Sequence, residues 1–331
     1  MAQDSHGRQL YGVLTSSGAT PATTGPRTQV LDVTNASGDY TWSMTAQLQK
    51  SFTDNFDGSI AYTHQVSRDV VSIANSTAGS NYRFQRDVSG RLDDLSVGTS
   101  RYDQPHRIIG TGSYRFPTFT DVSVIYTGNS GAPFDYVYGS NGGTTGDLNG
   151  DGQTVNDLMY VPKNALDQSE ILFQGYNGTT AARATAATQA QAFENFIAST
   201  PCLSEARGTI LTRNACRSPW VNEFDVSVAQ SLGKLGGRAF ENLQARLDII
   251  NLGNLLNKDW GRQAFENSTA CGGGCGTNTA LVHTGNALPS GVTTNSPLAQ
   301  GIYTFNPTFQ AFTVDNAASN YRMQLSMRYS F

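Results

Sequence analysis

Charge is scarce in this chain. Only 15% of its 331 residues are Asp, Glu, Lys or Arg, against about a quarter in an ordinary soluble domain. The formal net charge of −4 is spread without long runs, which excludes the basic footprint of a nucleic-acid binder. Long apolar runs are missing too. Hydrophobic residues make up 38% of the chain, yet no stretch approaches the ~20 residues of a membrane helix. If this chain meets a membrane, it does so as strands. The opening residues MAQDSHGRQLYG carry no basic region followed by an apolar core, so no signal peptide is expected. The chain is then either cytoplasmic or an internal piece of a longer exported protein. Histidine is rare: His6, His64, His106 and His283 each lack an acidic or nucleophilic neighbour at diagnostic spacing. With no GxSxG, HExxH or P-loop either, nothing points to an enzyme.

Cysteine is equally sparse, but its placement is informative. Cys202 stands near Cys216 and Cys271 near Cys275, in loop-like surroundings. Two local pairs predict disulfides and an oxidising compartment, which fits the cytoplasm poorly. No histidine or further cysteine lies at zinc spacing from Cys271 and Cys275.

What the chain does have is alternation. In YRMQLSMRYSF, Tyr321, Met323, Leu325, Met327, Tyr329 and Phe331 fall on one face of a strand, and Arg322, Gln324, Ser326, Arg328 and Ser330 on the other. The same period runs from Tyr40 to Phe52, broken only at Lys50, and again from Phe56 to Thr63. A second hairpin joins Ile108–Phe116 to Val122–Tyr126 across residues 117–120, and a third joins Phe224–Leu232 to Leu243–Ile249 across residues 233–238. Seven strands are predicted, all but the last in hairpins. The turns within hairpins are short, at 53–55, 117–120 and 233–238; the connections between them are long, at about 68–105, 131–220 and 252–319. That parity belongs to an outer-membrane barrel, with short periplasmic turns and long extracellular loops. Aromatics collect at both strand ends: Phe52, Phe56, Phe116, Tyr329 and Phe331 at one, Tyr40, Trp42, Tyr62 and Tyr321 at the other. Two such girdles mark two membrane interfaces. The expected fold is therefore all-β, a transmembrane antiparallel barrel. Its apolar rows meet lipid, and Arg107, Arg115, Asp225, Arg246, Asp248, Arg322 and Arg328 line the lumen. An odd strand count beneath dominant loops suggests that residues 1–331 are the C-terminal part of a larger barrel.

Several blocks carry a family resemblance. GDLNGDGQTVNDLMYVP (146–162), ARGTILTRNACRSPWVNEFDVSVAQ (206–230), LQARLDIINLGNLLNKDWG (243–261) and SRYDQPHRIIGTGSYRFP (100–117) resemble the C-terminal barrel of TonB-dependent outer-membrane transporters, particularly the Oar-like group. The resemblance implies a barrel of about 22 strands around a plug. It also implies uptake driven by the TonB energy complex of the inner membrane. Tyr329 and Phe331 would then belong to a terminal signal read by the barrel-assembly machinery. Neither the plug nor its TonB box is present in this sequence. The ligand stays open between siderophore, glycan and peptide. A self-contained porin or adhesin barrel, a secreted all-β binding module and an outer-membrane hydrolase are the alternative readings.

One loop imitates a cation site. Asp147, Asn149, Asp151 and Gly152 open like a calcium loop, in which alternate residues offer oxygen and glycine allows the sharp turn. Leu158 occupies the twelfth position, where a bidentate Glu belongs, and Asp157 stands one place early. The competing reading is an Asx-rich surface loop. Residues 181–199 are expected to form an amphipathic helix, with Phe193, Phe196 and Ile197 on one side packing onto the barrel mouth.

Overall fold

The computed structural model describes residues 3–21, 34–73, 76–84, 96–142, 145–176, 183–233, 242–267, 276–292 and 299–330. Seven long antiparallel strands form one sheet: β1 (Tyr40–Thr53), β2 (Phe56–Asp69), β3 (His106–Arg115), β4 (Thr120–Asn129), β5 (Val221–Ser231), β6 (Leu243–Ile250) and β7 (Arg322–Tyr329). They lie side by side in chain order from β1 to β7, with a short piece, Gly98–Thr99, added beside β2. These are the seven strands that alternation predicts. The first hairpin turns at Asp54–Asn55 and the second at 116–119, close to expectation.

Register keeps the polar side chains on one face, with Ile125 and Ile250 among them. Gln49 lies opposite Ser59, Ser59 opposite Thr111, and Thr111 opposite Ile125. The row continues to Asp225. Hydroxyls stitch this face across strands: Thr41 to Ser67 at 2.9 Å, Thr45 to Thr63 at 2.9 Å, Ser59 to Thr111 at 2.7 Å. The other face is apolar and bare. Leu325 is 71% exposed, Met327 69% and Leu48 68%. No buried apolar side chain among the described residues comes from the seven strands. A soluble sheet would bury this face against a second layer; here nothing covers it.

Rings mark both ends of the apolar face. At the short turns, Phe52 stacks on Phe56 with centroids 5.0 Å apart, and Tyr114 meets Phe116 edge-on at 4.6 Å. Lys50 lies on this face, its ammonium 5.3 Å from the Phe52 ring, so the one break in the pattern is a cation over an aromatic at the strand end. At the opposite end Tyr62 bonds the His106 ring at 2.7 Å, and Tyr126 and Trp220 both donate to Asn222. Amphipathic rings with satisfied polar tips suit a headgroup layer.

The hydrophobic core lies elsewhere, in the long connections. The described residues of 130–220 and 252–319 fold together into a cap around Phe134, Tyr136, Met159, Phe193, Ile197, Leu203, Leu281 and Phe305. Its helix, Ala186–Ser199, starts later than expected; Thr185 caps it by accepting from the Thr188 amide. Phe193 and Ile197 are fully buried and Phe196 packs beside them. The helix therefore fills the cap's own core rather than simply lying on a barrel rim. Residues 3–21 join the cap too, through the hairpin Gly12–Thr15 and Gly18–Pro21 and a small cluster of Leu10, Leu14, Ala19 and Ala299. Arginines fasten the cap to the sheet. Arg213 bonds Asp69 at 2.8 Å, and Arg217 pairs with the buried Asp103.

Candidate functional site: the polar wall, its mouth and the acidic loop

All seven arginines and aspartates predicted for the lumen share the polar face of the sheet. Arg107 lies opposite Asn129, Arg115 opposite Asp121, Asp248 opposite Gln324, Arg322 opposite Ile250 and Arg328 opposite Gln244. Some are already paired. Arg115 Nε bonds Asp121 at 2.7 Å, Arg246 Nε bonds Asp248 at 2.8 Å, and Asp225 accepts from the Asn251 amide at 2.8 Å. Asp225, Arg246 and Asp248 meet in a trough of about 460 Å³ between β4, β5, β6 and β7. Arg107, Arg115, Arg322 and Arg328 stand outside that trough.

Where the polar face runs up under the cap there is a second cavity, of about 350 Å³, lined by Arg101, Gln104, Asn129, Ser218, Glu223 and Glu266 among others. Asn129 Oδ1 and Ser218 Oγ are buried and have no hydrogen-bond partner among the described residues. Arg101 lies over the Tyr102 ring, and Glu266 accepts from the Gly276 amide. None of these residues carries a local sequence signal. They come from four separate segments of the chain, and only the fold assembles them.

The acidic loop is buried, not surface. Asp147, Asn149, Asp151, Asn156 and Asp157 are each more than nine-tenths buried. Asp147 accepts from the Gly150 amide at 2.6 Å and the Gly152 amide at 2.9 Å, and Asp151 from the Gln153 amide at 2.6 Å. Gly150 and Gly152 have φ of +78° and +85°, a region that glycine enters without cost. A side chain on Gly150 would also sit 2.6 Å from the Gly12 Cα, so the hairpin packs there only because glycine is small. Burial, and then the charges of Asp157 and Asp151, push the Asp147 carboxyl up to about 8. Burial also raises Asp157 to about 6, against the opposing pull of Arg8, which bonds it at 3.0 Å. Arg8 and Asn156 went unremarked in the sequence; Arg8 reaches the loop from the far N-terminal end. Among the described residues no three His, Cys, Asp or Glu groups are placed to hold a metal by themselves.

The Cys202–Cys216 disulfide is formed, with Cα atoms 5.4 Å apart, and joins the helix-rich part of the cap to the strand Cys216–Arg217 beside Phe134. Cys271, Cys275 and Phe331 lie outside the described residues. Tyr329 ends β7 on the apolar face, opposite Leu243.

A bare apolar face between two aromatic girdles, a polar face behind it and a folded cap at one end define a membrane wall of strands. The chain belongs to the outer membrane beta barrel domain family, whose model matches residues 8–282. Its place is the cell outer membrane, with the apolar face in lipid. No curated protein and no solved structure matches it significantly.

Proposed function

We propose that this chain is the C-terminal section of a large TonB-dependent, Oar-like transporter barrel that takes up or recognises an extracellular ligand and performs no chemistry. The observation that carries this reading is the pair of open edges. β1 and β7 each lack a neighbour on one side among the described residues, and β1 is exposed on both faces. Lipid tolerates no unpaired strand edge, because backbone N–H and C=O groups find no partner in hydrocarbon. The seven strands are therefore an arc of a wider wall, and the sequence blocks 100–117, 206–230 and 243–261, which supply β3, β5 and β6, resemble the barrel of that transporter group. The folded cap then covers a wide lumen, and the cavity beside Arg101, Glu223 and Glu266 lies on the ligand's path. Arg107, Arg115, Asp225, Arg246, Asp248, Arg322 and Arg328 set the charge along that path. The remaining strands, the plug, the TonB energy complex and the barrel-assembly machinery are the partners this reading requires.

Native outer membranes probed with antibody against the cap provide the test. The expected product is a polypeptide much longer than 331 residues that crosslinks to TonB. A product of this length that closes its own wall and gives no TonB crosslink overturns the reading in favour of a self-contained porin or adhesin.

A further inference from the structure

The acidic loop was open to two readings in the sequence, and its surroundings now separate them. An Asx-rich surface loop keeps its carboxylates in water. Here Asp147 and Asp151 are withdrawn from water together with Asn149 and Asn156, and neither carboxylate has an Arg or Lys within ion-pair distance among the described residues; the buried Arg8 is engaged with Asp157 and Asp4. Both carboxylates are met only by amide N–H groups, Asp147 by those of Gly150 and Gly152 and Asp151 by those of Gln153, Asn149 and Asn156, which leaves the place of a counter-charge open to a cation.

A second, independent sign comes from Asn156. Its Nδ2 donates to Asp151 Oδ2 at 2.9 Å, so its carboxamide lies against that carboxylate. Its Oδ1 is buried and accepts from nothing among the described residues. A buried amide oxygen without a donor, held beside a carboxylate, has the polarity of a metal ligand. The donors are all oxygen: two carboxylates, two amide oxygens and the backbone carbonyls of a glycine-hinged loop. No imidazole or thiolate is among them, so zinc and copper are disfavoured. Amide and carbonyl oxygens in a compact irregular loop suit calcium, which takes six to eight oxygens in flexible geometry, better than magnesium, which keeps its waters. This mixed set also explains why the charged groups alone do not make up a site.

We infer that the loop from Asp147 to Asn156 is a calcium site, held by the side-chain oxygens of Asp147, Asn149, Asp151 and Asn156. It goes beyond the transport reading and does not depend on it. The loop's backbone holds the N-terminal segment: Tyr11 donates to the Asn149 carbonyl at 2.7 Å and Ala19 to that of Asp147 at 3.1 Å. Calcium in the loop therefore fastens residues 8–21 to the cap. Outside the cell, weak affinity suffices, on the order of 10⁻⁴ to 10⁻³ M.

The experiment is calorimetric titration of Ca²⁺ into the intact native protein that contains this chain, purified from outer membranes in detergent after chelation, with Mg²⁺ as comparison and limited proteolysis at residues 8–21 as second readout. Expected are one saturable Ca²⁺ site, weaker Mg²⁺ binding, and calcium-dependent protection of residues 8–21. Asp151→Asn and Asn156→Ala each weaken Ca²⁺ binding, the former by about tenfold or more, since affinity follows ligand charge. Asp151→Asn removes a buried charge, so its fold survives in the absence of metal, as an intact Cys202–Cys216 disulfide and unchanged heat-modifiable mobility verify. No saturable binding, equal affinity for Mg²⁺, or binding undiminished in both variants overturns the inference and leaves the loop to ordered water.

Discussion

Placing a charge at Leu325 tests the assignment of faces where it is sharpest. Leu325 is midway along β7, four residues from Tyr321 and four from Tyr329. At ~3.3 Å per residue and a tilt of about 40°, it lies roughly 10 Å from either ring, near the centre of the ~25 Å apolar band. Its side chain is exposed, and across the strand pair it meets only Leu247. An arginine there has no partner and no water within easy reach, and at the bilayer midplane it costs ~2–4 kcal/mol. Gln324 is the neighbouring residue on the opposite face, across from Asp248. Gln324→Arg adds a cation beside a carboxylate on a watery surface and is expected to be nearly neutral. The assay is the urea midpoint of heat-modifiable mobility, with yield in the outer membrane, for each variant. A damaging Gln324→Arg beside a tolerated Leu325→Arg would refute the inside-out reading of the sheet.

Other consequences concern the cap. Removing the disulfide with Cys202→Ala and Cys216→Ala should lower cap stability by roughly 3 kcal/mol in the chain-entropy model, read as faster proteolysis between residues 130 and 220. Phe193→Ala, at the centre of the cap core, should cost ~3–5 kcal/mol and melt the cap while the strands keep their heat-modifiable mobility. His283 is fully buried; its Nδ1 accepts from the Gly146 amide at 3.0 Å and its Nε2 faces Asn286. Burial lowers its pKa. The stability this neutral ring contributes is present above the ordinary imidazole pKa and is lost as pH falls through the lowered one. Asp147 and Asp157 titrate in the opposite sense, so the observable is a difference: on acidification from pH 7 to 5 the His283→Gln cap should lose less stability, or gain more, than the parent cap.

How much of this was legible in the sequence depended on the range of the interactions. The strands were readable because the decisive contact is with the solvent: a row such as Met323, Leu325 and Met327 records lipid contact residue by residue, without reference to any partner. Strand length and the positions of the first two turns followed from the same rows, and the Cys202–Cys216 disulfide from the short interval between its cysteines; the third turn, at 233–238, lies almost wholly outside the described residues. The cap was not readable. Its core joins Phe134, Phe193 and Phe305, residues far apart in loops with little regular period, so no local pattern announces it. The helix was visible because it is long and locally amphipathic, but its true role as core needed Phe305 and Phe173 beside Phe193. The acidic loop was half legible. Asp147, Asn149 and Asp151 stood out by spacing, whereas their burial depends on Gly12, Tyr11 and Arg8 arriving from another segment. The cavity under the cap left no local trace in the sequence.

The central claim is that a lipid-embedded arc of strands carries a folded cap on the cell exterior. Cysteines placed singly at Asn55, in the first short turn, and at Gly142, in the cap, test it most directly when whole cells meet a membrane-impermeant thiol reagent, with the parent protein as background. Labelling at Gly142 in intact cells, and at Asn55 only after the outer membrane is breached, is the expected result. Labelling at Asn55 but not at Gly142 would invert the topology, and equal labelling at both sites in intact cells would remove the membrane from the structure altogether.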